Sequence, residues 1–252
     1  MNTVGCYTFP SVGDSDSMFR LDAATGSTVW KRRVQPPEQF GICSNDGSIE
    51  CGSDAPCGAG TCTTKAFYHD FGFLNGPLLV DADDGLGGMR PLVASGSKDG
   101  TLYAFDPTDG STVWTRAVVP TPVSPAFAGF GLFNGAVGFA DQKFFAALYE
   151  QIPAAMPEPD HLMAFSAVGG GTAWSDDIGD SWGSIAIAGG LLFTGTQDTT
   201  DFYVYDAATG TRLKTFSMPS NVNSGASIVG GTVYVGYGTY AGTGGVQAFA
   251  LP

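Results

Sequence analysis

FRLDAATGSTVW at residues 19–30, YAFDPTDGSTVW at 103–114, MAFSAVGGGTAW at 163–174 and YVYDAATGTRLK at 203–214 are four copies of one pattern. Each is an alternating apolar run ending in Asp, or in Ser166 in the third copy, with a glycine four residues on at Gly26, Gly110, Gly170 and Gly210. In three copies a tryptophan follows four residues later, at Trp30, Trp114 and Trp174. The alternation suits a pleated strand, Pro107 sets a turn in the second copy, and Gly110 accepts the positive φ that closes a short hairpin. A hairpin cannot bury its own apolar face, so repeated hairpins must stack on their neighbours. The expected fold is therefore all-β, a β-propeller of four-stranded antiparallel blades, with four to five blades in this chain. The three indoles are expected to pack blade against blade.

The four glycines lie 84, 60 and 40 residues apart, and only the last interval is a bare blade. The Cys-, Gly- and Pro-rich stretch 35–66 lengthens the first interval, and AALYEQIPAAMPEPD at 146–160 lengthens the second. Both are expected as connecting loops. Three whole blades follow from the patterning, the first with strands near 77–81, 91–96, 101–106 and 112–118. The second uses 144–149, 161–166 and 172–175 with either 123–127 or 135–140, one of which is then loop. The third uses 183–188, 191–196, 202–206 and 211–216. Strands near 4–9, 17–22 and 28–34 precede these, and 223–229, 232–237 and 246–250 follow as a blade lacking its outer strand.

A chain of 252 residues with nothing resembling an interdomain linker is expected to form a single domain, 1–252, carrying a Cys-rich insertion at 35–66. Thirty-seven Gly and 15 Pro against 14% charged residues describe tight turns between apolar strands, since a 43% hydrophobic content is too high for a disordered chain. A net charge of −13 argues against nucleic acid or an anionic membrane surface as partner. No apolar run is long enough to span a bilayer, and the first residues carry no basic region or hydrophobic core of a signal peptide. The expectation is a chain whose signal has been removed, or an N-terminally truncated piece of a longer product.

Five cysteines, Cys6, Cys43, Cys51, Cys57 and Cys62, fall in the first quarter of the chain. The stretch CGSDAPCGAGTC lacks the Cys-x-x-Cys pairs of structural zinc sites, so disulfides in an extended loop are expected. They imply an oxidising compartment, periplasmic or extracellular, and the odd count leaves one thiol over.

The repeat resembles the blade motif of the quinoprotein dehydrogenases, eight-bladed propellers that bind pyrroloquinoline quinone at the axis. It is most similar to the polyvinyl-alcohol-dehydrogenase-like branch, through HDFGFLNGPLLVDAD at 69–83, ASGSKDGTLYAFD at 94–106 and NVNSGASIVGGTVYVGYG at 221–238. The resemblance implies eight blades, more than this chain holds, so the expectation is a truncated relative or fragment of such a ring, with closure as an unusual small propeller as the alternative; an open arc would have its edge completed by self-association or by a partner chain. It also implies pyrroloquinoline quinone as cofactor and a small-molecule or polymeric alcohol as substrate. On this likeness Asp70 matches the general base for the alcohol, and Lys98 matches a basic residue that contacts the quinone oxygens. The chemistry needs that combination, because a carboxylate accepts the hydroxyl proton as hydride leaves carbon while a cation stabilises charge growing on the quinone oxygen. Read from the residues alone, Asp70 can instead cap a strand entry and Lys98 can be an ordinary residue of the Lys98-Asp99-Gly100 turn. His69 stands where relatives commonly carry Trp.

Trp182 and Asn223 lie at the starts of innermost strands, where side chains point toward the axis, so both are candidate pocket residues for the cofactor. Packing for Trp182 and an ordinary turn role for Asn223 are the alternatives. The stretch TVGCYTFP resembles a family segment that offers an asparagine to a calcium ion, but Gly5 and Cys6 occupy the relevant places, so no metal site is expected. Asp83, Asp84, Asp176, Asp177 and Asp180 lack the ligand spacing of a calcium loop. His69 and His161 are far apart and no nucleophile elbow is present, which argues against a hydrolase triad. Two functions remain: a quinoprotein-like alcohol oxidoreductase, intact or degenerate, and a non-catalytic secreted or periplasmic propeller scaffold for protein or ligand binding.

Overall fold

The computed structural model describes residues 16–35, 41–51, 54–64, 72–119, 133–149, 159–239, 242 and 244–250. Strands β1 (Ser17–Leu21) and β2 (Thr28–Arg33) form a hairpin. Strands β3 (Gly41–Cys43), β4 (Asp46–Cys51) and β5 (Cys62–Thr64) form a small sheet in the order β4-β3-β5. The first full blade is β6 (Leu78–Asp83), β7 (Met89–Gly96), β8 (Thr101–Phe105) and β9 (Thr112–Ala117). The second is β10 (Gly138–Ala140), β11 (Lys143–Ala147), β12 (Leu162–Ser166) and β13 (Thr172–Asp176). The third is β14 (Ala186–Ala188), β15 (Leu191–Gly195), β16 (Asp201–Asp206) and β17 (Arg212–Ser217). A last sheet holds β18 (Ser227–Val229), β19 (Thr232–Tyr237) and β20 (Gly245–Ala250). Each blade is an antiparallel meander in chain order, so the three expected whole blades are present. Of the two competing stretches, 135–140 supplies strand β10, while 123–127 and 4–9 lie outside the described residues.

The four repeat copies build one turn four times. Gly26, Gly110, Gly170 and Gly210 take φ of 71°, 72°, 73° and 73°, a region that penalises any Cβ. Each glycine N–H closes the turn on the carbonyl of the residue four back, at 2.8–2.9 Å. In three copies the Asp side chain caps the turn from inside: Asp22, Asp106 and Asp206 accept from the N–H of Thr25, Thr108 and Thr209 at 2.8 Å. In the third copy Ser166 accepts from Val168 N–H at the longer distance of 3.3 Å. A serine can therefore stand in that position at the cost of a weaker cap.

The tryptophans stack on the turn of the next blade. Trp30, Trp114 and Trp174 donate their indole N–H to the carbonyls of Pro107, Ala167 and Ala207 at 2.9, 3.0 and 3.0 Å. A Cβ added to Gly110, Gly170 or Gly210 would come within 2.6, 2.8 or 2.5 Å of the docked indole. The glycine is thus required twice, for backbone sign and for the close approach of the ring. Third strands β8, β12 and β16 are buried along nearly their whole length because a neighbouring sheet covers each face, whereas outer strands β9, β13 and β17 are largely exposed. Successive interfaces are filled by Phe133, Phe144 and Phe165, then Phe145, Tyr203 and Tyr205, then Phe193, Phe202 and Val235.

The insertion is held by two disulfides, Cys43–Cys57 and Cys51–Cys62. Its buried cluster consists of those four cysteines, apart from the clusters between blades. The expected disulfide framework is present, and Cys6 lies outside the described residues. Because the insertion's core is separate, reduction should expose residues 41–64 to protease and raise their amide exchange, while the melting temperature of the blades stays unchanged. A matching fall in blade stability would show that the two parts fold as one cooperative unit.

Candidate functional site at the axial mouth

The first strands β6, β10, β14 and β18 touch in sequence and line the inner side of the stacked blades. Ile185 N–H donates to Ala136 O at 3.1 Å, and Ala136 N–H to Ser184 Oγ at 3.0 Å, tying the second blade to the third. Leu78, Gly138, Ala186 and Ser227 occupy one register position, paired with Ala94, Phe145, Phe193 and Tyr234. Four residues before the first set stand Leu74, Asn134, Trp182 and Asn223. Four residues after the second stand Lys98, Tyr149, Gln197 and Gly238. Backbone bonds link the two rows within a blade in the same way three times: Lys98 N–H to Gly72 O, Gln197 N–H to Asp180 O and Gly238 N–H to Asn221 O, at 3.1, 2.9 and 2.9 Å. Ser181 N–H to Leu148 O and Val222 N–H to Thr196 O then join neighbouring blades at 2.8 and 2.9 Å.

Three of the expected site residues therefore sit on these two rows. Trp182 and Asn223 line one cavity of about 780 Å³ with Gln197, Ser224, Tyr237 and Thr239. The Trp182 indole is 50% exposed, with its ring edge-to-face on Tyr149 at 5.1 Å. That leaves a flat aromatic surface open to a ligand. Lys98 occupies the Gln197 position two blades earlier, in the turn between β7 and β8, and is not among the residues lining that cavity. Asp70 lies outside the described residues. Tyr149, Gln197 and Asn134 share these positions but carry no motif of their own; only the strand register reveals them. The side-chain oxygen of Asn134 is buried and has no hydrogen-bond partner among the described residues.

Beside Lys98, Asp99 is 2% exposed and accepts from Tyr103 Oη at 2.6 Å, Gln35 Nε2 at 2.8 Å and Thr101 N–H at 2.8 Å. Asp99 is thus the fastener of the turn that presents Lys98. Burial, with Asp99 beside it, pushes the Tyr103 hydroxyl well above its ordinary range, so the phenol stays a donor at any physiological pH.

The loop leading to Trp182 is held by charge. His161 reaches Asp177 Oδ1 with Nδ1 at 2.7 Å and Asp180 Oδ1 with Nε2 at 3.4 Å. The two carboxylates, Asp180 first and Asp177 second, raise the imidazole to about 9 against a desolvation cost. Arg212 adds a second tie, donating from Nε and Nη2 to Asp176 Oδ2 at 3.1 and 2.7 Å. A folded value above the unfolded 6.5 means that the clamp's stability is complete below about pH 6.5 and is lost as pH rises through 9. His161→Gln should therefore melt below the parent at pH 6, by about 1–2 kcal/mol after solvent screening, and match it above pH 10. Equal melting at both pH values would contradict the clamp.

Four-stranded antiparallel blades docked by tryptophan on a glycine turn define a β-propeller. The chain belongs to the pyrroloquinoline-quinone-repeat family of propellers: the family model described as outer membrane protein assembly factor BamB matches residues 98–250. Polyvinylalcohol dehydrogenase of Sphingopyxis sp. (strain 113P3) is 24% identical over 273 residues, covering 96% of this chain and 38% of the relative. Quinohemoprotein alcohol dehydrogenase from Comamonas testosteroni has a similar structure, with a TM-score of 0.66, 19% identity, and coverage of 91% of this chain and 39% of that one. BamB from Moraxella catarrhalis matches with a TM-score of 0.50 and 19% identity, over 94% of this chain and 72% of that one. The chain thus spans well under half the length of the two dehydrogenases, and the described blades form part of a propeller.

Proposed function

We propose that the axial mouth binds pyrroloquinoline quinone and that the chain is part of an alcohol-oxidising quinoprotein of a periplasmic or extracellular space. The observation that carries this reading is the half-exposed Trp182 indole sharing one cavity with Asn223 and Gln197. The donor set fits the group: a flat, multiply anionic quinone wants an aromatic face, neutral amide donors and a cation. Trp182 offers the face and Asn223 and Gln197 the amides within that cavity, while the cation is Lys98, which stands on the same row two blades earlier and outside the cavity lining. When bound, the quinone supplies the acceptor for a hydride. Asp70 takes the proton of the alcohol hydroxyl, and the loop clamp at His161 keeps Trp182 oriented.

Dye-linked alcohol oxidation after addition of the quinone, with and without calcium, tests the activity. Asp70→Asn should abolish turnover and leave quinone binding intact; unchanged turnover would remove Asp70 from the mechanism. A second reading, a non-catalytic propeller that holds a partner protein, is favoured by the BamB description of the matched family. Quinone binding with no turnover on any small or polymeric alcohol would support it. No helix among the described residues is long and apolar enough to cross a membrane.

A further inference from the structure

The two disulfides of the insertion meet. The sulfurs of Cys43, Cys51 and Cys57 all lie within 4.8 Å of one another, although Cys51 is bonded to neither of the other two. The strand registers explain the meeting. Cys43 on β3 and Cys62 on β5 are direct cross-strand partners, and Cys51 on β4 is the partner of Gly41, two residues from Cys43 and so on the same face of the sheet. Cys57, in the short 3-10 turn Ala55–Cys57, closes over that face through its bond to Cys43. Cys62 does not bond its cross-strand partner. It reaches over Gly41, where an added Cβ would stand 2.6 Å from its sulfur, to Cys51 on the far strand.

We propose that the insertion is a thiol-driven switch between two disulfide pairings: the crossed set Cys43–Cys57 with Cys51–Cys62, and a nested set Cys43–Cys62 with Cys51–Cys57. The reagent is a small monothiol. It enters at Cys62, the least buried of the four cysteines at 8% exposed, where the others are at 1–3%. Its thiolate attacks Cys62 Sγ to form a mixed disulfide, and Cys51 leaves with the electron pair as a thiolate. Cys51 then attacks the Cys57 sulfur within 4.8 Å, forming Cys51–Cys57 and releasing Cys43 as a thiolate. Cys43 attacks Cys62 Sγ, forming Cys43–Cys62 and returning the monothiol. Three S–S bonds form and three break, with no net oxidation or reduction, so the monothiol acts as a catalyst. Cross-strand partners stand about 4.5–5.5 Å apart at Cα, within the span of a disulfide, so the last step turns side chains and leaves the strands in place. The blades take no part, because the cysteine cluster is separate from the clusters between them.

The test is anaerobic incubation of the full chain with reduced glutathione at pH 8, in a Cys6→Ser background that removes the fifth cysteine, followed by acid quench, maleimide blocking and peptide mapping of the pairings. The nested set should appear with time while free thiol on the chain stays low. A single pairing at every time, or opening of both bridges to free thiols with no nested set, would overturn the proposal. Two variants test the internal steps without added thiol. Cys62→Ser orphans Cys51, and the maleimide label should shift from Cys51 to Cys43 as Cys51–Cys57 forms. Cys57→Ser orphans Cys43, and the label should shift from Cys43 to Cys51 as Cys43–Cys62 forms. Label confined to the orphaned cysteine, in variants whose residues 41–64 resist protease as the parent's do, would overturn it as well. Blade melting should be unchanged throughout.

Discussion

Replacing Trp174 by alanine is expected to lower the free energy of unfolding by about 2–4 kcal/mol, somewhat below the cost of truncating a fully buried aromatic because one side of the ring stays in solvent. The ring joins Phe145 of its own blade to Tyr205 of the next, and its N–H satisfies the carbonyl of Ala207. Removal leaves a gap that two rigid sheets cannot close, and a backbone acceptor without its donor. Urea denaturation should show the loss as a lower midpoint. Trp174→Phe should recover the packing and forfeit about 1 kcal/mol for the missing hydrogen bond. Gly210→Ala should also destabilise, since its Cβ would sit 2.5 Å from the indole and its φ is 73°. Combined with Trp174→Ala, the steric part of that cost should disappear, so the two changes should be less than additive. Additive losses would mean that ring and glycine do not meet.

Gly135→Ala should cost about 1–3 kcal/mol and damage the axial mouth at the same time. A Cβ at this position would come 2.2 Å from Gly183 O and 2.7 Å from Gly183 C, which are backbone atoms with no rotamer to yield. The second and third blades would have to part, and Gly183 follows Trp182 directly in the chain. A fall in both thermal stability and quinone affinity is the expected outcome. Stability at the parent level would contradict the close approach of the inner strands.

The repeat made the blades legible because each strand-turn-strand unit is local: Asp, Gly and Trp sit within nine residues and each has its own mechanical reason. The stretches 123–127 and 135–140 could not be separated on pattern, since both are apolar runs of strand length; pairing with β11 decided it for the second. Cysteine pairing was likewise beyond spacing alone, because the β4-β3-β5 order sets Cys51 and Cys62 on the two strands that flank β3, where Gly41 leaves room for the disulfide to cross. Trp182 and Asn223 could be picked out because they precede inner strands. Gln197, Tyr149 and Asn134 could not, as their equivalence depends on hairpin lengths that differ between blades.

Calorimetric titration of the folded chain with pyrroloquinoline quinone tests the central claim, that the axial mouth is the cofactor pocket. The account predicts saturable one-to-one binding in the parent, at least about tenfold weaker binding in Trp182→Ala from loss of the stacking face, and a smaller loss in Asn223→Ala. No binding by the folded parent, or equal binding by Trp182→Ala, would contradict it.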